Sequence, residues 1–152
     1  MPTPTKPACY AACLAYVHAR LDAARAGMAA AQESSNSETK SSAGDKYETG
    51  REMAQQERDR QASQLLEAQQ QLADLLKLNP TLPYDSVRRG ALVLTSLGAF
   101  YVSVAAGRLR TAEGQEFAAV SASAPLMQAL AGLLAGAEVP FNGRSVRVLA
   151  VS

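Results

Sequence analysis

Two carboxylates stand three residues apart in Gly44-Asp45-Lys46-Tyr47-Glu48, after a run that lacks any large apolar side chain. At i and i+3 on the opening turn of a helix, Asp45 and Glu48 point to one side and can reach a single divalent cation. Two carboxylates alone hold Mg²⁺ poorly, because that ion keeps its waters and asks for octahedral oxygen ligands. The same spacing is also that of a capping box, with Asp45 accepting from first-turn amides and Glu48 reaching back. Negative charge is favourable at a helix N-terminus in either reading, so the pair can cap the helix and ligate an ion at once.

Few other residues offer chemistry. Cys9 and Cys13 lie one helical turn apart, so a bridge between them would close almost no loop, and His18 is the only histidine. A zinc site of the common Cys/His kind is therefore incomplete within one chain. The pair reads as reduced helix residues, with a metal shared at a dimer interface as the alternative. His18 has no Ser or Asp at a suggestive spacing, so a hydrolytic triad is unsupported. Lys40, Lys46, Arg51, Arg58 and Arg60 could meet the phosphates of a nucleic acid. Glu52, Glu57 and Asp59, interspersed among them, fit a solvated helix face instead. Tyr47 could stack on a nucleotide base or pack on Arg51 one turn on.

The elements that must position the carboxylates are two long helical patterns. Pro7 suits a first helical turn, where its missing N–H is not needed. From there Tyr10, Leu14, Val17, Leu21, Ala24, Met28 and Ala31 follow alternating steps of four and three, which predicts a coiled-coil helix over 8–33, weakened locally by Gly27. Residues 34–44 carry nothing to anchor them in a core and read as a flexible tip. A second helix is expected over 49–78, its apolar stripe of Ala54, Leu65, Ala68, Leu72 and Leu75 lying mainly in the far half. Arg51, Arg58 and Gln61 continue that stripe towards the tip. The two helices read as an antiparallel coiled-coil hairpin with an apolar base and a polar end, each arm roughly 40 to 45 Å long. Such a hairpin has little core of its own, so its base must lean on a second domain or a partner.

Asn79-Pro80-Thr81-Leu82-Pro83 stops the second helix and separates a hairpin domain, 1–80 with its tip at 34–48, from a second domain over 81–152. There the period turns strand-like at 91–95, 99–104 and 116–120, with 107–115 as a loop. A short amphipathic helix is predicted from Pro125 to Leu134. Strands over 138–141 and 144–151 flank Asn142-Gly143, the strongest hairpin dipeptide. The fold class expected is α+β, a small antiparallel sheet with one helix laid on it.

Composition sets the outer limits. The 152 residues are 47% hydrophobic, enough for a core, while aromatics make up 5% and Trp is absent. A net charge of +1 gives no global sign of a polyanion binder. There is no run of about 18 apolar residues and no signal-peptide pattern, so the expectation is a cytoplasmic chain without a membrane span.

The chain resembles the bacterial Gre transcript-cleavage factors in length and order: hairpin, proline-marked linker, small FKBP-like domain. Gly44-Asp45-Lys46-Tyr47-Glu48 is similar to the family's tip motif. Val120-Ser121-Ala122-Ser123-Ala124-Pro125-Leu126, with Ala129-Leu130-Ala131-Gly132, is similar to its C-terminal signature. Thr49-Gly50-Arg51-Glu52 stands where the family's tip continues Asn-Ala-Glu-Tyr, Ala124 where it has Ser before Pro, and Gly136-Ala137 where it has Gly-Asp. The resemblance implies a non-enzymatic elongation factor whose hairpin enters the secondary channel of RNA polymerase. Its tip carboxylates would help the polymerase hold a second Mg²⁺ for cleavage of backtracked RNA. Asp45 and Glu48 would then be the catalytic and metal-holding residues. Lys46, Tyr47, Arg51, Ser123 and Pro125 would contact the polymerase or the nascent RNA 3′ end, and a monomer is expected rather than a dimer. Two rivals are a channel-binding regulator without cleavage activity and a coiled-coil interaction module, dimeric through Cys9, Leu14 and Leu21. Ser121, Ser123 and Pro125 also suffice as a turn and helix start. Phe100, Tyr101, Phe117 and Phe141 without Trp make a thin proline pocket for an isomerase.

Overall fold

A computed structural model describes residues 3–39 and 44–152, and for residues 35, 37–39 and 44–48 the backbone alone. The chain is α+β. Two long helices, α1 (Lys6–Thr39) and α2 (Gly44–Leu76), precede a six-stranded, mostly antiparallel sheet with one short helix. The strands are β1 (Leu92–Thr95), β2 (Gly98–Val102), β3 (Gly107–Arg110), β4 (Glu116–Val120), β5 (Glu138–Phe141) and β6 (Arg144–Val151), with α3 (Pro125–Leu130) between β4 and β5. Two compact units result, one of Val17–Leu72 and one of Met1–Tyr16 with Ala73–Ser152.

The Val17–Leu72 unit is an antiparallel helical hairpin. Val17, Leu21, Ala24 and Ala31 of α1 and Ala54 and Ala68 of α2 are buried, so the seam is built largely from small side chains. Polar bonds tie the two helices together between these apolar contacts. Arg20 donates to Gln71 at 2.7 Å, Glu67 at 3.0 Å and Gln64 at 3.1 Å, and Arg58 donates to Gln32 at 3.1 Å. A flexible tip over 34–44 is corrected: α1 stays helical to Thr39 and α2 begins at Gly44, while 40–43 lie outside the described residues. A helix needs no large apolar side chain to continue, because its backbone bonds are internal. Gln32 also donates to Asn36 one turn on, at 3.2 Å.

In the other unit, the Thr5 carbonyl accepts from Cys9 N–H at 3.0 Å and the Thr5 hydroxyl from Ala8 N–H at 3.3 Å, an N-cap that starts α1 just before Pro7. The seam predicted through Tyr10 and Leu14 is shifted by one residue here. Cys9 and Cys13 are fully buried and Tyr10 and Leu14 half-buried, because this stretch faces a sheet rather than a single helix. The strand order is β3-β4-β2-β1-β6-β5. Asn142 (φ 49°) and Gly143 (φ 77°) both take the left-handed conformation, as a two-residue β5–β6 turn requires.

Two sheet features depart from expectation. The predicted loop at 107–115 contains β3, a four-residue strand. The sheet is not wholly antiparallel, since β4 pairs parallel to β2 through Phe100↔Ala118 and Val102↔Val120. The chain leaves β2 for the edge, forms β3, turns at 111–115 and returns as β4 between the two. The helix predicted to reach Leu134 ends instead at Leu130, and Gly132 follows with φ 78°. Alternation along the strands serves two faces. Val93, Val102, Val146 and Val148 make one core with Met127 and Leu130 of α3. Tyr101, Phe117 and Ala119 are buried on the opposite face.

Candidate functional site

Gly44 is the first residue of α2, so Asp45, Lys46, Tyr47 and Glu48 occupy the helix's opening turn and Arg51 the next. Asp45 is therefore the second helical residue and Glu48 the fifth, one turn apart on the helix, whereas a capping box would need Asp45 just before the first helical residue. The Asp45, Lys46, Tyr47 and Glu48 side chains, and Lys40 altogether, lie outside the described residues. Arg51 is exposed.

Further down the hairpin the basic side chains are engaged within the chain. Arg58 is bound to Gln32. Arg60 pairs with Glu57 at 2.7 Å, and hydrogen bonds from Arg60 and Gln61 hold the Glu57 carboxyl below its ordinary pKa. Both partners are solvated, which matches a salt-bridged helix face.

Ser123 and Pro125 open α3. Ser123 and Ser121 hydroxyls lie 2.8 Å apart, Ala124 is the N-cap residue without a side-chain cap, and Pro125 sits at the helix start. These residues have a sufficient structural role in beginning the helix. The four aromatics considered for a proline pocket divide between the faces. Phe100 and Phe141 pack at the margin of the α3 core, while Tyr101 and Phe117 alternate to the other side.

Cys9 and Cys13 are free thiols with no accessible surface, and the Cys13 sulfur lies 3.8 Å from the Ser103 hydroxyl. Burial pushes the Cys9 thiol up to about 12, with a smaller contribution from Cys13, and burial pushes Cys13 up to about 11. Such thiols stay protonated and unreactive at neutral pH. Of the three residues on which the coiled-coil dimer was drawn, Cys9 and Leu21 are buried within the chain and Leu14 is half-buried. His18 is exposed. Among the described residues, no three His, Cys, Asp or Glu side chains converge as metal ligands, and no helix is long and apolar enough to cross a membrane.

Sequence reasoning missed two further groups. Tyr84 has cations against its ring, Lys6 at 4.7 Å and Arg88 at 4.6 Å from the centroid, and Lys6 also donates to the Leu82 carbonyl. Burial lowers the Lys6 pKa. Tyr101 is fully buried, and its hydroxyl has no hydrogen-bond partner among the described residues. Burial raises its pKa, reinforced by Cys13, Tyr10, Cys9 and Tyr84. Arg88 is only four residues from Tyr84, but Lys6 reaches Tyr84 and Leu82 from the far end of the chain, and Cys9, Tyr10 and Cys13 reach Tyr101 likewise, so local spacing marks neither group.

No protein-family model matches the chain, and neither does any curated protein or solved structure.

Proposed function

We propose that the chain is a Gre-like factor that binds RNA polymerase and acts on elongation by placing the tip of its hairpin in the secondary channel. One observation carries the reading: the second arm of an antiparallel helical hairpin opens at Gly44, with Asp45 and Glu48 on its first turn. The α+β partition supports it, with the sheet unit read as the FKBP-like domain of that family.

In this reading the tip delivers carboxylates to a centre that belongs to the polymerase. Asp45 and Glu48 are chemically suited to Mg²⁺, a hard cation that takes oxygen donors, but two carboxylates leave most of its octahedral shell to the partner and to water. The ion would supply Lewis-acid stabilisation of the phosphodiester and an activated water. This chain's share is position and charge: Asp45 toward the ion, Glu48 toward the ion or the water. Lys46, Tyr47, Arg51, Ser123 and Pro125 are the proposed contacts to polymerase or RNA.

The test is a stalled, backtracked elongation complex from the source organism, incubated with the protein and with its Asp45→Asn/Glu48→Gln form. Transcript shortening that the variant loses is the expected result. Binding without shortening assigns the non-cleaving regulator, in keeping with Thr49-Gly50-Arg51-Glu52 at the tip. No binding to the polymerase overturns both readings.

A further inference from the structure

Strand β3 lies at the end of the sheet order, and its outer side faces no other strand among the described residues. Its alternation follows from one bond. Thr111 N–H donates to the Gln115 carbonyl at 2.9 Å, so in register Leu109↔Phe117 and Gly107↔Ala119 are the pairs bonded across to β4. Arg108 and Arg110 therefore turn their N–H and C=O groups outwards, as an edge strand offers them to an added strand.

The side chains beside that edge differ by face. Arg108 and Arg110 share the face of Ala118 and Phe100, and both are exposed. Arg110 is paired with Glu116 at 2.7 Å, whereas Arg108 has no carboxylate partner among the described residues. Leu109 shares the face of Phe117 and is half-buried. A groove of about 330 Å³ lies between Ala8, Ala11, Ala12 and Ala15 of α1 and the turn that follows β3, where Arg110 and Glu113 are its charged lining.

We propose that β3 captures an extended acidic segment of a partner protein by strand addition. The segment carries an acidic–apolar–acidic run: one carboxylate lies opposite Arg108, the other opposite Arg110, whose guanidinium it shares with Glu116, and its middle side chain lies opposite Leu109, before the turn that borders the groove. Charge complementarity chooses this occupant over a second copy of the chain. Antiparallel self-pairing about Leu109 sets Arg108 of one copy directly opposite Arg110 of the other, and like charges so placed repel.

The probe is a capped octapeptide with a central Glu-Val-Glu, titrated into the isotope-labelled full chain. Amide shifts are expected at 107–111 and along 8–15. Affinity should fall about tenfold or more when both glutamates become lysine, as two attractive cross-strand pairs turn repulsive. Methylating the two glutamate amide nitrogens should abolish binding. Arg108→Pro should keep the sheet, since proline is tolerated where an edge N–H faces solvent, and should lose the peptide. Arg108→Glu should weaken the glutamate peptide and favour the lysine one.

Equal binding of the two peptides, shifts confined to other surfaces, or none at millimolar peptide would overturn the proposal. So would a dimer in sedimentation that Arg108→Glu strengthens, because it assigns the edge to a second copy.

Discussion

Replacing Tyr101 by Phe should stabilise the protein. The ring is fully buried on β2, and its hydroxyl has no partner among the described residues. Taking a hydroxyl out of water without a new bond costs about 1 to 3 kcal/mol. Phe keeps the ring and its packing and removes only that oxygen. A gain of about 1 kcal/mol follows, near the lower end because the freed volume goes unfilled, with a Tm rise of about 2 to 4 °C for a chain of this size. Urea unfolding followed by far-UV circular dichroism reads it as a higher midpoint at unchanged slope. Tyr101→Ala calibrates the site and should cost about 3 to 5 kcal/mol, because it empties the same space. A Tyr101→Phe form less stable than the parent by about 0.5 kcal/mol or more refutes the reasoning, since the hydroxyl must then be bonded in solution.

The thiols predict a pH dependence. Both folded and unfolded states carry the Cys9 and Cys13 protons below pH 9.0, the ordinary value, so stability is unaffected there. From pH 9 towards about 11 and about 12 the unfolded state loses protons that the folded state keeps, and stability should fall as pH rises by about 1 kcal/mol per thiol per unit. Denaturation curves from pH 8 to about 10.5 should show this slope flattened in Cys9→Ala/Cys13→Ala. An aromatic disulfide reagent should label neither thiol at pH 7.5 until denaturant is added. Arg20→Met, which keeps much of the stem but removes three donated bonds to α2, should cost about 1 kcal/mol in urea unfolding, discounted for the exposed Glu67. Gly90→Ala meets both a φ of 93° and the Tyr84 ring 3.2 Å from the new Cβ, and should lower the unfolding free energy by about 1 to 2 kcal/mol, read as a lower urea midpoint. Carboxyl-detected titration should place Glu57 below its model-peptide range and return it upward in Arg60→Ala.

Much of the element order could be read without coordinates, because it rests on local rules. Three heptads of apolar spacing predict a helix wherever they are placed. Asn142-Gly143 favours a tight hairpin through its own backbone preferences. The helix ends were harder. Helix content through 34–39 depends on internal backbone bonds that polar side chains neither require nor prevent, so a reading based on apolar anchors stopped too early. β3 was missed for a related reason. Gly107-Arg108-Leu109-Arg110 is too short and polar to announce a strand, and it becomes one only when β4 returns beside it.

Asp45 and Glu48 show how far a local signal reaches. Their spacing and their place after Gly44 establish a pair of carboxylates at a helix start, and the backbone of α2 agrees. The same residue types nearer the base illustrate what spacing leaves open: Arg58 became an interhelical donor and Arg60 a partner of Glu57. The amino-acid sequence by itself determined the two helices, the α+β partition and the carboxylate pair, because periodicity, turn chemistry and i, i+3 spacing act within a few residues. Only the tertiary structure decided that Cys9 and Cys13 belong to a core, that Tyr101 buries an unbonded hydroxyl, and that Arg108 lines an open strand edge. Those outcomes depend on which distant segment arrives as a neighbour.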